Sequence, residues 1–145
     1  MAEERRFGPV RLIPGANKGR YPHSNSAYVE GAGVLIDAGA DAARYRELLA
    51  GPGVNEVWLS HWHEDHLAYL DLFEGLPLRQ MAVEAEPLSG IEAFLDWYGI
   101  GREEYRDYWR RTLPADFHFR PRKATQHFTP GEVIDLGTCT AEVIH

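Results

Sequence analysis

Three of the seven histidines fall within one stretch of six residues, 61–66 (HWHEDH), and this cluster limits what the chain can be more than any other feature. The stretch follows an apolar segment that is typical of a β-strand. In an extended segment, residues two apart point the same way, so His61 and His63 can present their imidazoles to one metal ion. Asp65 and His66 come where the chain is predicted to enter a helix, and they can face a second ion. We therefore predict a metal site at these four residues.

The ligand types narrow the choice of metal. Nitrogen and carboxylate ligands without thiolate suit Zn²⁺, and they also accept Mn²⁺ or iron. Cys139 is the only cysteine, which excludes a thiolate-rich zinc site and an internal disulfide framework. Two other interpretations remain open: Asp65 is only the N-cap of the following helix, and the histidines form a solvated loop or an incidental metal-binding cluster without chemistry. Four ligand-type residues at this spacing favour the metal site.

Strands and helices are both predicted along the chain. Strands are expected at residues 7–13, 25–29, 34–37, 54–60 and 78–83, and a final hairpin at 132–136 and 139–145. Helices are expected after an N-cap at Asp41, over residues 66–73, after a capping box at residues 89–92, and in a last segment that ends before Pro114. This order predicts a mixed α/β (α+β) domain, and 145 residues suit a single one.

The charge balance argues against some partners. The chain carries 15 Lys and Arg against 22 Asp and Glu, a formal net charge of −7. This balance disfavours nucleic-acid binding on a basic surface. No apolar run approaches the roughly 18 residues of a membrane helix, and the first residues lack the apolar segment of a secretory signal. We expect a cytoplasmic protein that acts on a small molecule, with no membrane partner.

Residues 61–66 resemble the HxHxDH signature of the metallo-β-lactamase superfamily of metallohydrolases. Residues 34–39 (VLIDAG) are similar to a strand of that family that ends in an Asp-x-Gly turn, and residues 57–60 (VWLS) to the strand that delivers the motif. Residues 131–145 are similar to the segment that leads, in many relatives, toward the next metal-binding histidine, and His145 matches the histidine that ends this strand rather than the ligand. The resemblance implies the first half to two-thirds of an αββα sandwich.

The resemblance also implies roles for individual residues. His61 and His63 would bind one metal ion, Asp65 and His66 a second, and a complete site would hold two Zn²⁺. Asp65 would have a catalytic role, because it would hold the second ion and orient a hydroxide. Asp37 would support the ligands from the end of the earlier strand, although a turn-forming Asp explains it equally well.

The function implied is that of a metal-dependent hydrolase, in which a metal-activated hydroxide attacks a small ester, thioester or lactone. Two alternatives stay open. One is a mononuclear iron oxidoreductase of the same superfamily, and the other is a catalytically incomplete half-domain that needs a partner, either as a homodimer or through a C-terminal half.

The expected domain covers residues 1–145 and is truncated at its C-terminus, with residues 84–127 as a helical insertion within it. This segment is crowded with aromatic residues. Their expected role is to pack two helices onto the sheet, and the alternative is to shape a substrate pocket.

Overall fold

In the computed structural model, residues 3–145 are described, and they form nine β-strands and three α-helices joined by short 3-10 turns. The strands are β1 Arg5–Phe7, β2 Val10–Ile13, β3 Ser26–Val29, β4 Val34–Ile36, β5 Glu56–Trp58, β6 Leu78–Met81, β7 Gln126–Phe128, β8 Val133–Asp135 and β9 Thr140–Glu142. The helices are α1 Ala42–Ala50, α2 Ile91–Trp97 and α3 Glu103–Asp116. None of the helices in this part of the chain is long and apolar enough to cross a membrane. The predicted mixed α/β class is confirmed.

Within residues 3–145, strands β1 to β7 form one seven-stranded sheet in chain order. The first four strands pair antiparallel, and β4 to β7 pair parallel. Parallel neighbours need a crossover connection, which α1 provides between β4 and β5, and α2 with α3 between β6 and β7. The crossover from β5 to β6 carries the histidine stretch. Strands β8 and β9 form a separate antiparallel hairpin.

Apolar side chains are buried on both faces of this sheet. In β4, Leu35 belongs to the larger core cluster, whereas Val34 belongs to a smaller cluster on the opposite face, as the alternation along a strand requires. The larger cluster receives the fully buried side chains Tyr45 of α1, Leu95 of α2 and Leu113 of α3. The β8–β9 hairpin adds apolar side chains to the smaller cluster. The histidine stretch therefore begins at the end of a strand in a sheet whose two faces are both packed against apolar side chains.

Predictions that rest on local signals are confirmed. The expected pairing of residues 25–29 with 34–37 is the β3–β4 hairpin, and the final hairpin is β8–β9. Asp41 is the N-cap of α1, because its side chain accepts hydrogen bonds from the backbone N–H groups of Ala43 and Arg44.

Other expected elements differ in detail. The strand expected over residues 7–13 is a hairpin of β1 and β2, with Gly8 at φ +59° in the turn, a conformation that suits glycine. The helix expected over residues 66–73 is replaced by two 3-10 turns, Glu64–His66 and Leu70–Phe73. Strand β7 was not predicted, because its three residues carry no apolar alternation.

Two helix boundaries were wrongly predicted. Ser89 does not cap α2, since it ends a 3-10 turn and Gly90 stands at the N-cap position without a side-chain hydrogen bond. Helix α3 does not stop before Pro114 but continues to Asp116. Proline in the last turn removes a single backbone hydrogen bond, and the burial of Leu113 and Phe117 on either side of it stabilises that turn.

Glu92 joins α2 to α3. Its Oε2 accepts a hydrogen bond from Nη2 of Arg106 at 2.6 Å, and its Oε1 accepts one from Nε of Arg110 at 2.6 Å. The guanidinium groups of Arg110 and Arg106 lower the pKa of Glu92 to about 2. A carboxyl group whose pKa is lower in the folded state stabilises the fold above its unfolded pKa, and this contribution is lost as the pH falls toward the folded value.

We expect Glu92→Gln to lower the melting temperature near pH 7 slightly, because the pair is exposed to solvent. The difference from the unsubstituted chain should shrink as the pH falls from its unfolded pKa near 4.5 toward about 2. Thermal unfolding followed by circular dichroism measures both effects. Glu104→Gln is the control, because within residues 3–145 Glu104 pairs only with Arg102, at 3.5 Å between exposed side chains. An equal difference at every pH would contradict the prediction.

Candidate metal centre

The histidine stretch lies at the carboxyl ends of the parallel strands β4 and β5. The backbone N–H of Asp37, just after β4, donates to the carbonyl of Trp58 at 2.8 Å, and that of Leu59 donates to the carbonyl of Arg79 at 2.9 Å. The chain leaves the sheet at Ser60 and enters the motif directly. In open α/β sheets, this edge is where ligands bind.

Three imidazole rings of the motif lie together. The ring centroid of His61 is 4.7 Å from that of His63 and 4.1 Å from that of His66. Asp65 lies beside them, with its Oδ2 3.8 Å from Nε2 of His66. Asp65 is inside the 3-10 turn Glu64–His66, and the N-cap position belongs to His63, so the helix-cap interpretation of Asp65 does not hold. The structure thus brings the four predicted ligand residues to one place.

Asp37 orients two of these rings. Its Oδ1 accepts from the backbone N–H of Ser60 at 2.8 Å, and its Oδ2 accepts from Oγ of Ser60 at 2.7 Å and from Nδ1 of His66 at 2.8 Å. Because the Ser60 hydroxyl gives its one proton to Asp37, its oxygen accepts from Nδ1 of His61 at 3.0 Å. Both histidines are then protonated at Nδ1, and their Nε2 lone pairs are available to a metal ion.

The surroundings shift the pKa of these two histidines in opposite directions. Burial lowers the pKa of His61, and the neighbouring rings of His66 and His63 lower it further, so His61 favours the neutral form that a metal ligand needs. Burial also opposes the charge on His66, but its hydrogen bond to Asp37 and the nearby acidic groups outweigh that effect and raise its pKa. A metal ion at His66 must therefore compete with a proton.

Close backbone packing holds the motif against the turn after β4. The backbone N–H of Ala38 donates to the carbonyl of His66 at 2.7 Å, and Oγ of Ser24 donates to the carbonyl of Asp65 at 2.8 Å. A Cβ atom at Gly39 would lie 1.7 Å from that same Asp65 oxygen. Only glycine therefore permits this contact.

Glu64 is a buried residue of the motif that the sequence analysis did not single out. Its side chain is 2% exposed, and it accepts hydrogen bonds from the hydroxyl groups of Tyr21, at 2.8 Å, and of Tyr98. Burial, and then the bonds to Glu64, raise the pKa of both tyrosines, so both remain donors at neutral pH. The ring of Tyr98 also stacks on His63, with centroids 5.5 Å apart. The only signal in the sequence was an acidic residue inside the motif. Had its burial been known, hydrogen-bond donors from elsewhere in the chain would have been expected, because a buried carboxylate needs them.

The donor types fit a metal ion, but the coordination shell is partial. Nitrogen and carboxylate donors are present and two rings are oriented by hydrogen bonds, as metal-binding histidines usually are. Across residues 3–145, however, no group of three or more His, Cys, Asp or Glu side chains has the geometry to hold an ion. The described residues therefore provide an incomplete set of ligands.

Comparisons with known proteins agree with the fold and identify a family. Residues 20–133 match the Metallo-beta-lactamase superfamily. The BLEG-1 B3 metallo-beta-lactamase has a similar solved structure, with a TM-score of 0.59 and 19% identity over 94% of this chain and 60% of its own. A metallo-beta-lactamase family protein from Thermus thermophilus has a TM-score of 0.56 and 22% identity, over 95% of this chain and 52% of its own. A beta-lactamase domain protein from Burkholderia ambifaria has a TM-score of 0.55 and 17% identity, over 97% of this chain and 47% of its own.

The chain therefore spans about half the length of the solved structures that it matches. At these identities the likeness shows the fold. A search of curated protein sequences found no significant match.

We expect Asp37→Asn to weaken Zn²⁺ binding by roughly 10- to 100-fold, because the amide nitrogen cannot accept the hydrogen bonds that orient His66 and Ser60. Competition with a chromogenic chelator measures the affinity, and thermal unfolding confirms that the variant is folded. Asp135→Asn is the matched control, since Asp135 only accepts a bond from the backbone of Gly137 in the β8–β9 turn. Equal affinities for the Asp37 variant and the unsubstituted chain would contradict the role assigned to Asp37.

Gly39→Ala should destabilise the fold by about 1–3 kcal/mol or more, because its Cβ would overlap the Asp65 carbonyl and the Ser24 hydroxyl, which lies 2.2 Å away. Zn²⁺ affinity should fall with it as the motif is displaced. Denaturant unfolding and the same chelator competition give the two readouts. Gly101→Ala, where nothing lies within 4 Å of the added atom, should leave both unchanged. A Gly39 variant as stable as the Gly101 variant would refute the packing argument.

Proposed function

Because the chain belongs to the metallo-beta-lactamase superfamily, we propose that it provides the histidine motif of a metal-dependent hydrolase. The superfamily consists mostly of hydrolases and is typically zinc-dependent. The substrate class we propose is a small ester, thioester or lactone. The observation that carries the proposal is the cluster of His61, His63 and His66, with the Nδ1 atoms of two rings held by hydrogen bonds.

In this proposal His61 and His63 hold one ion, and Asp65 and His66 hold a second. Zn²⁺ suits these nitrogen and carboxylate donors, and iron or Mn²⁺ is also compatible with them. A bound divalent ion supplies Lewis-acid activation of the carbonyl group and a nucleophile at neutral pH. Asp37 would keep the Nε2 lone pair of His66 available to an ion by accepting the hydrogen bond from its Nδ1 atom.

The proposed acyl substrate follows from charge and surroundings. A net charge of −7 repels polyanions such as nucleic acids, which disfavours them as substrates. Aromatic rings surround His63 of the motif. Tyr98 stacks on His63, and the ring centroid of Trp62 lies 4.6 Å from that of Tyr98 and 4.9 Å from that of His63. Such a rim favours a small, partly apolar substrate over a highly charged one.

We also propose that further metal ligands come from outside residues 3–145, either from another copy of this chain or from a C-terminal half of the domain. The support for this is that no group of three or more His, Cys, Asp or Glu side chains within residues 3–145 has the geometry to hold an ion, whereas a catalytic zinc site normally has three protein ligands. If the ligands come from another copy, metal-dependent association of the chain accompanies binding.

Metal content tests the proposal directly. We expect chelator-treated protein to take up Zn²⁺ on dialysis, and the double substitution His61→Ala with His63→Ala to remove most of the bound metal. His127→Ala is the matched control, because that histidine lies on β7 and contacts the Gln80 carbonyl. Elemental analysis gives the metal-to-protein ratio, and sedimentation with and without Zn²⁺ gives the oligomeric state.

Hydrolysis is followed with 4-nitrophenyl acetate, an acyl thioester and a γ-lactone in the presence of Zn²⁺. We expect turnover of at least one of them, abolished by chelation and by the double substitution. Equal metal content in the double variant and the control would refute the metal site. Metal binding without any turnover, in both the monomeric and the associated form, would refute the hydrolase proposal.

A further inference from the structure

A cavity of about 320 Å³ lies beside the motif, between the segment at Tyr21, the segment at Tyr69 and the C-terminal part of α3. Its volume is in the range of small-molecule sites. Aromatic rings and one carboxylate dominate its wall. The side chains that matter here are Tyr21, Tyr69, Tyr108, Trp109, Asp116 and Phe117.

The rings form a connected surface with different orientations. Phe117 is 4% exposed, and its centroid lies 6.3 Å from that of Tyr21 and 6.5 Å from that of Trp109. Tyr108 stands almost perpendicular to Trp109, at 82°, with centroids 5.6 Å apart. A group inside the cavity therefore meets aromatic rings at several angles.

Two exposed tyrosines of the cavity, Tyr21 and Tyr108, differ in how firmly they are held. Tyr21 is 59% exposed, but its hydroxyl donates to Glu64 at 2.8 Å, which fixes the ring. Tyr108 is 53% exposed and can adjust to an occupant. The site thus has a fixed wall and an accessible entrance.

Within residues 3–145, the lining has a carboxylate and no permanently cationic side chain. Among the described residues that line the cavity, Asp116 is acidic and His23 is the one basic residue, since the lining contains no lysine or arginine. The whole chain carries a net charge of −7, so the surrounding field also attracts cations. Faces of Trp and Tyr rings attract cations through their quadrupole, and this attraction is larger where water is displaced.

We propose that this cavity binds a small organic cation, a quaternary or substituted ammonium group, between its aromatic rings and the Asp116 carboxylate. The inference goes beyond the proposed function, because it requires neither a metal ion nor hydrolysis. The cavity is connected to the motif through the hydrogen bond that the Tyr21 hydroxyl donates to Glu64.

The experiment compares two ligands of the same shape. Choline carries a trimethylammonium group, and 3,3-dimethyl-1-butanol replaces its nitrogen by carbon and has no charge. Binding to the full chain is measured by calorimetry, without added metal. We expect saturable binding of choline, roughly tenfold tighter than that of the neutral alcohol. Equal affinity for both ligands, or no saturable binding of choline, would overturn the proposal.

Matched substitutions on α3 locate the binding site. Tyr108→Leu and Asp116→Asn should each weaken choline binding several-fold. Tyr105→Leu is the control for the ring, because Tyr105 is on the same helix and is equally exposed, at 53%, but lies outside the cavity. Asp107→Asn is the control for the charge, because Asp107 pairs with Arg110.

Choline binding that is lost equally in the cavity variants and their controls would also overturn the proposal. Circular dichroism confirms that each variant is folded, and the comparison of the two ligands needs no variant. Because no metal is added, failure here leaves the hydrolase proposal standing, and failure of the metal experiments leaves this one standing.

Discussion

The Asp37 carboxylate is the interaction on which the candidate site depends. It accepts from the backbone and hydroxyl of Ser60 where the motif begins, and from His66 where the motif ends. This placement requires φ +59° at Asp37, a conformation that is costly for most residues but one that Asp tolerates comparatively well. Three hydrogen bonds to a buried carboxylate offset that cost. One side chain from the end of β4 thus sets the shape of a loop that belongs to the next strand.

Much of this arrangement could be predicted from the sequence, because its signals are local. The histidine spacing, the apolar strand before it, the Asp41 cap and the two confirmed hairpins are each encoded within a few neighbouring residues. The order of elements was then enough to give the mixed α/β class. The ligand roles assigned to His61, His63, Asp65 and His66 remain predictions, supported by the proximity of these residues.

The remainder could not be predicted, because it depends on pairs of residues distant in sequence. Glu64 is 43 residues from Tyr21 and 34 from Tyr98, and no local pattern links them. The aromatic segment shows the same limit. The expectation that its rings pack helices onto the sheet describes the buried Phe94 and Phe119 of the larger core cluster, whereas Tyr108 is largely exposed. Which ring is buried depends on how α2 and α3 pack against each other. The position of Pro114 also led to a wrong prediction of where α3 ends.

Tyr21 has two neighbours at once, since its hydroxyl contacts Glu64 within the motif and its ring forms a wall of the aromatic cavity. A shift of Glu64 must therefore move that wall, and a group that presses on the wall must disturb Glu64. Thermodynamic linkage makes such an influence mutual: if occupancy of the cavity changes the affinity of the histidine cluster for an ion, the ion changes the affinity of the cavity by the same factor. A single phenol hydroxyl would then couple two binding equilibria.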